Sequence, residues 1–418
     1  MVTAACLAKL GHDVQCFDSD PEVIELLKVG KVRFHEPGLA DLVSQMVTEG
    51  RLQTAESIEE AVGSSELSFI CVSTPPKANG AADLSYIEAA TRAIAQSMDG
   101  YHIIVEKSTV PAKTGERVRE TLRMHAKPSV EFDVVSFPEF SREGHAIDDF
   151  LHPDRLVLGV ESERAEQAMR TLVQGIDAPI VVTDMASAEL IKHASNCFLA
   201  LKISYANALA NVCETIGANV EEVAEGMGLD NRIGRDFLNA GVGYGGSCFP
   251  KDMAAFIAMA DELGYDFKLL KAAREVNDER PRRLIEKLRQ ALWVLSGKTV
   301  AVLGLAFKPG TDDVREAPAL ALIELLLEEG ASVRAYDPVA TSTAQKLLGE
   351  RVVYCEDSYQ AASGADALVV VTEWDEFRHL DLDRIKGLLA VPVIIDGRNI
   401  FDRTTLTEAG FIYHGMGK

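Results

Sequence analysis

The chain has 418 residues, enough for two or three domains at roughly 150 residues each. Apolar residues make up 47% and charged residues 25%, which excludes a disordered or collagen-like chain. The formal net charge of −22 sets the surface against nucleic acid and anionic membranes, yet leaves room for an anionic small ligand held by a few local cations. No apolar run approaches the ~18 residues of a membrane span. The opening stretch has no basic region and Lys9 interrupts it, so it does not read as a signal peptide. Seven cysteines without a CxxC pair point to free thiols in a reduced, cytoplasmic compartment, with neither a disulfide framework nor a metal site.

From Met1 to about Asp184, β-rich runs alternate with helical segments. Val14–Phe17, Leu67–Val72, His102–Val105, Asp133–Ser136, Arg155–Leu158 and Ile180–Val182 read as strands. Asp20–Val29, Glu36–Glu49, Tyr86–Ser97 and Thr114–His125 read as helices. This alternation predicts a parallel sheet covered on both faces. From Met185 to Arg289 no strand pattern occurs, and Ala188 to Ile216 is one long helical stretch of small residues. From Lys298 strands return at Thr299–Leu303, Ala331–Tyr336, Ala367–Val371 and Val391–Ile395. The expected fold is α/β: a doubly wound Rossmann-like domain over 1–184, a central helical domain over 185–289 and a second Rossmann-like domain over 290–418.

The outer zones share punctuation. Gly11-His-Asp-Val14 to Asp18 matches Gly330-Ala-Ser-Val333 to Asp337: a helix-ending glycine, a strand, and an acid at its end. In the third zone a strand and a helix precede this unit; in the first, only the helix Met1–Leu10 does. The central strand and its phosphate-binding glycine turn are therefore expected to be absent, leaving two strand edges unpaired and cofactor binding weak. A start roughly a dozen residues earlier, one strand plus its turn, is the expected remedy.

The strongest chemical signal is Phe237-Leu-Asn-Ala-Gly-Val-Gly-Tyr-Gly-Gly-Ser-Cys248-Phe-Pro-Lys251-Asp252. Four glycines let backbone approach a ligand closely. A thiol follows, and a helix opening at Cys248, together with Lys251, would lower its pKa. A thiolate there can attack an aldehyde. The other six cysteines lie in apolar patterns and read as packing. Asp18 ends a strand where an acid meets ribose hydroxyls, while Thr74 and Thr109 follow later strands at the ligand-binding edge. Pro138-Glu139-Phe140-Ser-Arg-Glu143-Gly144 places two carboxylates four apart, suited either to acid–base work or to capping. Lys192 and Asn196 share a helix face. Lys308 and Arg315 supply cations after the third zone's first strand, suited to phosphates.

These motifs, with STVP, PEFxREG, FKPGTDDVREAP and DGRNIFD, resemble the UDP-glucose/GDP-mannose dehydrogenase family over nearly the whole chain. The resemblance implies four-electron oxidation of the C6 alcohol of UDP-glucose with two NAD, in a homodimer built on the helical domain. It implies Cys248 as nucleophile, Lys192 and Asn196 at the oxyanion, Asp252 and Glu139 as acid–base groups, and Thr109 placing water. NAD would be held by Asp18, Thr74, Thr109, Glu143, Lys251 and Arg315. The UDP-sugar would meet Glu139, Phe140, Ser141, Arg142, Glu143, Lys192, Asn196, Arg232, Phe237, Leu238, Asn239, Ala240, Gly241, Gly245, Lys308 and Arg398. Departures from the family pattern include Val23 for a lysine, Phe137 for an asparagine and Ser141 for a leucine. The alternatives are a catalytically impaired or regulatory UDP-sugar-binding relative, and a dehydrogenase for GDP-mannose or a UDP-N-acetyl-hexosamine.

Overall fold

The computed structural model describes residues 1–418. Its contacts divide the chain into a unit of Met1–Ser195 with Ala254–Leu263 and a unit of Asn196–Met253 with Gly264–Lys418. In the first unit, β1 (Val14–Cys16) pairs in parallel with β2 (Leu52–Thr54) as a ladder of its own. A separate five-stranded sheet runs β3 (Leu67–Ile70), β4 (His102–Glu106), β5 (Phe132–Ser136), β6 (Leu156–Gly159) and β7 (Ile180–Thr183). Successive residues of one strand enter different cores: Ile103 and Val105 join one cluster, Ile104 the other. Both faces of the sheet are thus covered, as continuous apolar strands require.

The second unit holds a six-stranded parallel sheet in the order β10 (Val353–Tyr354), β9 (Ser332–Tyr336), β8 (Thr299–Leu303), β11 (Ala367–Val370), β12 (Val393–Asp396), β13 (Ile412–His414). Renumbered within the domain this is 3-2-1-4-5-6, the doubly wound dinucleotide order. On β8, Val300 and Val302 face one cluster and Ala301 and Leu303 the other. No strand lies between Thr183 and Thr299; that region is helical, led by the 32-residue helix Met185–Ile216.

Several sequence expectations are corrected. The N-terminal sheet is not wholly parallel: β5 meets β6 antiparallel through the single pair Ser136–Gly159. Strands β2, β10 and β13 were not expected, being two or three residues long with too little alternation to register. The helix expected from Glu36 starts at Leu39, because Pro37 disfavours a helical residue before it and Gly38 sits at φ 76°. Glu36 itself is buried and accepts from Gly144 N at 2.7 Å and Ala146 N at 2.8 Å. β1 pairs only with β2 and β3 only with β4, in line with two strand edges lacking a ladder partner.

The repeated acid has two fates. Asp18 is exposed, and its carboxylate accepts locally from Asp20 N. Asp337 is 2% exposed and accepts from Leu305 N, Ala306 N, Val339 N, Ala340 N and Trp374 Nε1. Its own protein thereby occupies the turn after β8, where a dinucleotide phosphate would bind in this fold.

Candidate active site

The glycine loop of the second unit is buried throughout 241–246, and side chains hold it by its backbone. Asn207 Oδ1 accepts from Gly241 N at 2.8 Å, and Arg280 Nε donates to Gly241 O at 2.9 Å. Arg398 Nη1 donates to Gly243 O at 3.0 Å, and Asn277 bonds both Tyr244 N and Tyr244 O. Arg280 is 1% exposed; burial pushes its pKa down to about 10. The glycines serve approach to protein more than was expected. A Cβ would stand 2.2 Å from Glu316 O at Gly245, and 2.6 Å from the Phe307 ring at Gly246. Phe237, at the loop's entry, holds the left-handed value φ 63°.

Past this loop the chain enters the helix Phe249–Glu262, with exposed Cys248 immediately before it. Ser247 Oγ lies 3.6 Å from Cys248 Sγ. One turn on, Asp252 is 1% exposed and accepts from Asn196 Nδ2 at 2.6 Å and from Lys251 Nζ at 2.8 Å. Lys251 thus pairs with Asp252. By contrast, burial pushes the thiols of Cys6 and Cys16 up to about 11 and that of Cys197 up to about 12, as packing cysteines require.

A cavity of about 190 Å³ in this unit is lined by Leu238, Asn239 and Ala240 together with Arg235, Arg378 and Arg398. Three guanidiniums in one cavity of an acidic protein suit a phosphate ligand. Arg398 also donates to Val371 O and Phe307 O and pairs with Glu373, so much of its fork braces the loop. Arg315 pairs with Asp313 at 2.7 Å, and its carbonyl accepts from Gly246 N. Lys308 Nζ lies 5.3 Å from the Phe307 ring. The Arg232 side chain is 89% exposed and pairs with Asp230.

In the first unit, Thr74 and Thr109 follow β3 and β4, and Thr74 Oγ1 donates to Thr109 O at 2.9 Å. After β5, Glu139 lies 3.5 Å from Lys107 Nζ, whose charge holds the carboxyl below its ordinary value; Ser141 and Lys192 act in the same direction. The Phe140 ring carries Arg155 at 3.9 Å and Lys192 at 5.3 Å. The structure therefore gathers Glu139, Phe140 and Lys192. Phe137, where an asparagine was expected, is buried under Lys107 Nζ at 4.7 Å. Arg142 is turned to Asp149 in a two-point pair, and Glu143 precedes Gly144, which Glu36 holds. The residues fit NAD in kind. Asp18 at the carboxyl end of β1 is exposed, an acceptor suited to ribose-type hydroxyls, and Thr74 and Thr109 follow the carboxyl ends of the neighbouring strands β3 and β4 in the five-stranded sheet.

Sequence reading missed Asn207, Asn277, Arg280, Lys107 and Arg155. Asn207 carried a signal: it stands eleven residues, or three turns, beyond Asn196 in the same alanine-rich helix.

The chain belongs to the UDP-glucose/GDP-mannose dehydrogenase family: the NAD binding domain matches residues 1–177, the central domain 186–279 and the UDP binding domain 301–403. Over its full length it is 46% identical to UDP-glucose 6-dehydrogenase TuaD of Bacillus subtilis, covering 91% of that protein. It is 44% identical to a UDP-glucose 6-dehydrogenase of Rhizobium meliloti, covering 97%. A solved UDP-glucose dehydrogenase from Pyrobaculum islandicum matches with a TM-score of 0.94 at 41% identity, covering all of this chain and 94% of that one. A UDP-D-ManNAc dehydrogenase from Pyrococcus horikoshii matches at 30% identity and a TM-score of 0.88, covering all of this chain and 96% of that one. The protein is an NAD-dependent oxidoreductase, and no helix is long and apolar enough to cross a membrane.

Proposed function

We propose that the chain oxidises the C6 alcohol of UDP-glucose to the carboxylate of UDP-glucuronate. The observation that carries this reading is the exposed Cys248 at the head of a helix whose first turn holds the Asn196–Asp252–Lys251 network. Full-length identity of 39–46% to curated UDP-glucose 6-dehydrogenases favours glucose over the N-acetyl sugar of the 30% identical structure.

Asp18, Thr74, Thr109, Glu143, Lys251 and Arg315 would hold NAD, which would supply the hydride acceptor for both oxidations. The alcohol first loses a proton and a hydride to become an aldehyde. The Cys248 sulfur then adds to C6 while its proton passes to the C6 oxygen, giving a thiohemiacetal that loses this proton again as its remaining C–H leaves as the second hydride. The resulting thioester is cleaved by water, which returns the thiol. Lys192, with Asn196, donates to the C6 oxygen as it gains negative charge. Asp252, held as an acceptor by two donors, takes the hydroxyl proton. Glu139, kept ionised by Lys107, accepts from the hydrolytic water that Thr109 helps to place. The remaining motif residues, Phe140 to Arg142, Arg232, Phe237 to Gly241, Gly245, Lys308 and Arg398, hold the UDP-sugar.

The functional parts are 1–184 for NAD, 185–289 for dimerisation and the thiol, and 290–418 for UDP. A homodimer is supported by the helix Met185–Ile216, where Phe198, Tyr205 and Val212 recur every seven residues at 61%, 55% and 54% exposure. We place the enzyme in the cytoplasm, supplying a uronate donor for polysaccharide synthesis. Stoichiometry tests the reading: two NADH per UDP-glucose consumed, with GDP-mannose and UDP-N-acetyl-mannosamine as comparison substrates. Binding of UDP-glucose without NADH would support instead a silent sugar-binding relative.

A further inference from the structure

The helix Thr114–His125 starts without a side-chain cap of its own; Lys113 precedes it at φ 74°. Its first amides are met by a carboxylate far away in sequence. Glu189, on the helix Met185–Ile216 and 2% exposed, accepts from Lys113 N through Oε2 and from Gly115 N through Oε1, both at 2.6 Å. One turn on, His193 Nε2 lies 2.9 Å from Val110 O. Two side chains at i and i+4 of one helix thus hold both ends of the segment Val110 to Gly115, directly after Thr109. The residue type at 115 follows from this contact. A Cβ there would stand 3.0 Å from Met185 Sδ and 3.2 Å from Glu189 Oε1, so that the thioether and the carboxylate would each have to give by a few tenths of an ångström. Thr109 is fixed from its other side by Thr74 Oγ1.

We propose that Glu189 is a positioning residue of the oxidation: by gripping Lys113 and Gly115 it sets where Thr109 stands. The proposal rests on the role given to Thr109 above. Two paired backbone amides demand two acceptor oxygens in a fixed plane, and among the ordinary side chains only a carboxylate offers both without adding a donor. Glutamine in its place would keep the shape but turn an N–H against one of the amides.

The test is a double-mutant cycle on the full chain, reading NADH formation at saturating NAD and UDP-glucose, with Glu189→Gln, Thr109→Ala and the pair. Glu189→Gln should lower kcat about tenfold or more and leave the KM for UDP-glucose within about twofold, since a small misplacement acts on the reacting geometry. Added to Thr109→Ala, the same change should cost less than about threefold, because both act through one group. Amide exchange at Lys113 and Gly115 should quicken. Gly115→Ala, which keeps the charge of Glu189, should show the same non-additivity and serves the cycle if Glu189→Gln does not fold. Full additivity, or a kcat loss that only follows the fraction folded, overturns the proposal. A Thr109→Ala variant with wild-type kinetics would instead remove the role of Thr109 itself.

Discussion

Glu106 ends β4 and is 1% exposed, and Ser108 only partly offsets the burial of its carboxyl. Burial pushes its carboxyl from 4.5 up to about 8, and the nearby Glu189 adds to the rise. Between those two values the folded protein keeps a proton that the unfolded chain releases. Stability must therefore fall as pH rises from 4.5 toward 8, and level off above it. As a ceiling, the whole window amounts to about 5 kcal/mol, at 1.36 kcal/mol for each pH unit. Glu106→Gln places a neutral group of the same shape at the site and removes this dependence. The variant should gain on the wild type steadily between pH 5 and 8, reaching on the order of 2–5 kcal/mol at the upper end. Both tryptophans, Trp293 and Trp374, lie in the other unit, so the assay is urea unfolding followed by far-UV circular dichroism at several pH values. Glu189, raised to about 7 by burial, titrates in the same direction in both proteins, and because its charge acts on Glu106 the difference between the curves includes this coupling. Parallel stability–pH curves for the two proteins would refute the reasoning.

Cys248→Ser should separate the two oxidations, since the hydroxyl is almost wholly un-ionised at neutral pH. The first NADH of a burst should survive slowly and the second collapse, and full two-NADH turnover at wild-type rate would return Cys248 to a packing role. Lys192→Ala should lower kcat by about a hundredfold or more and move the KM for UDP-glucose little; a loss confined to KM would make it a sugar anchor. Gly246→Ala combines a φ of 79° with a Cβ 2.6 Å from the Phe307 ring and should destabilise by roughly 2–4 kcal/mol, checked by its urea midpoint. If the proposed homodimer forms through this helix face, Phe198→Glu should shift the mass seen by light scattering from that of two chains to that of one, and an unchanged mass would refute the proposed interface.

Much of this arrangement was legible because its signals are local. The run from Phe237 to Asp252 announces a glycine loop, a thiol and a helix start within a few residues, and β8 was bounded to the residue. The clamps were not legible, because they join positions far apart in the chain. Arg280 reaches Gly241 across 39 positions, and Glu189 reaches Gly115 across 74. Nothing in the vicinity of either side chain marks it as other than a solvated charge. The glycine loop also shows a limit of composition: Gly245 and Gly246 are small because Glu316 O and Phe307 approach them, a cause that lies some seventy residues or fewer along the chain but in another domain's loops. Short strands such as Val353–Tyr354 escape for a third reason, since two residues carry no period.

Asp337 bears on how one chain delivers four electrons. The C-terminal sheet has the strand order of a dinucleotide fold, so the protein carries two such scaffolds on one chain. In the second, the amides of Leu305 and Ala306 are already satisfied by a built-in carboxylate, an anion the protein never releases. A pyrophosphate arriving there would meet both an occupied socket and a like charge. The scaffold is plugged, and one cofactor berth remains. Both hydrides must then leave through that berth in turn. The half-oxidised sugar would have to stay in place while reduced cofactor departs and a fresh one docks, and the bond to the Cys248 sulfur proposed above would be a tether that outlasts such an exchange.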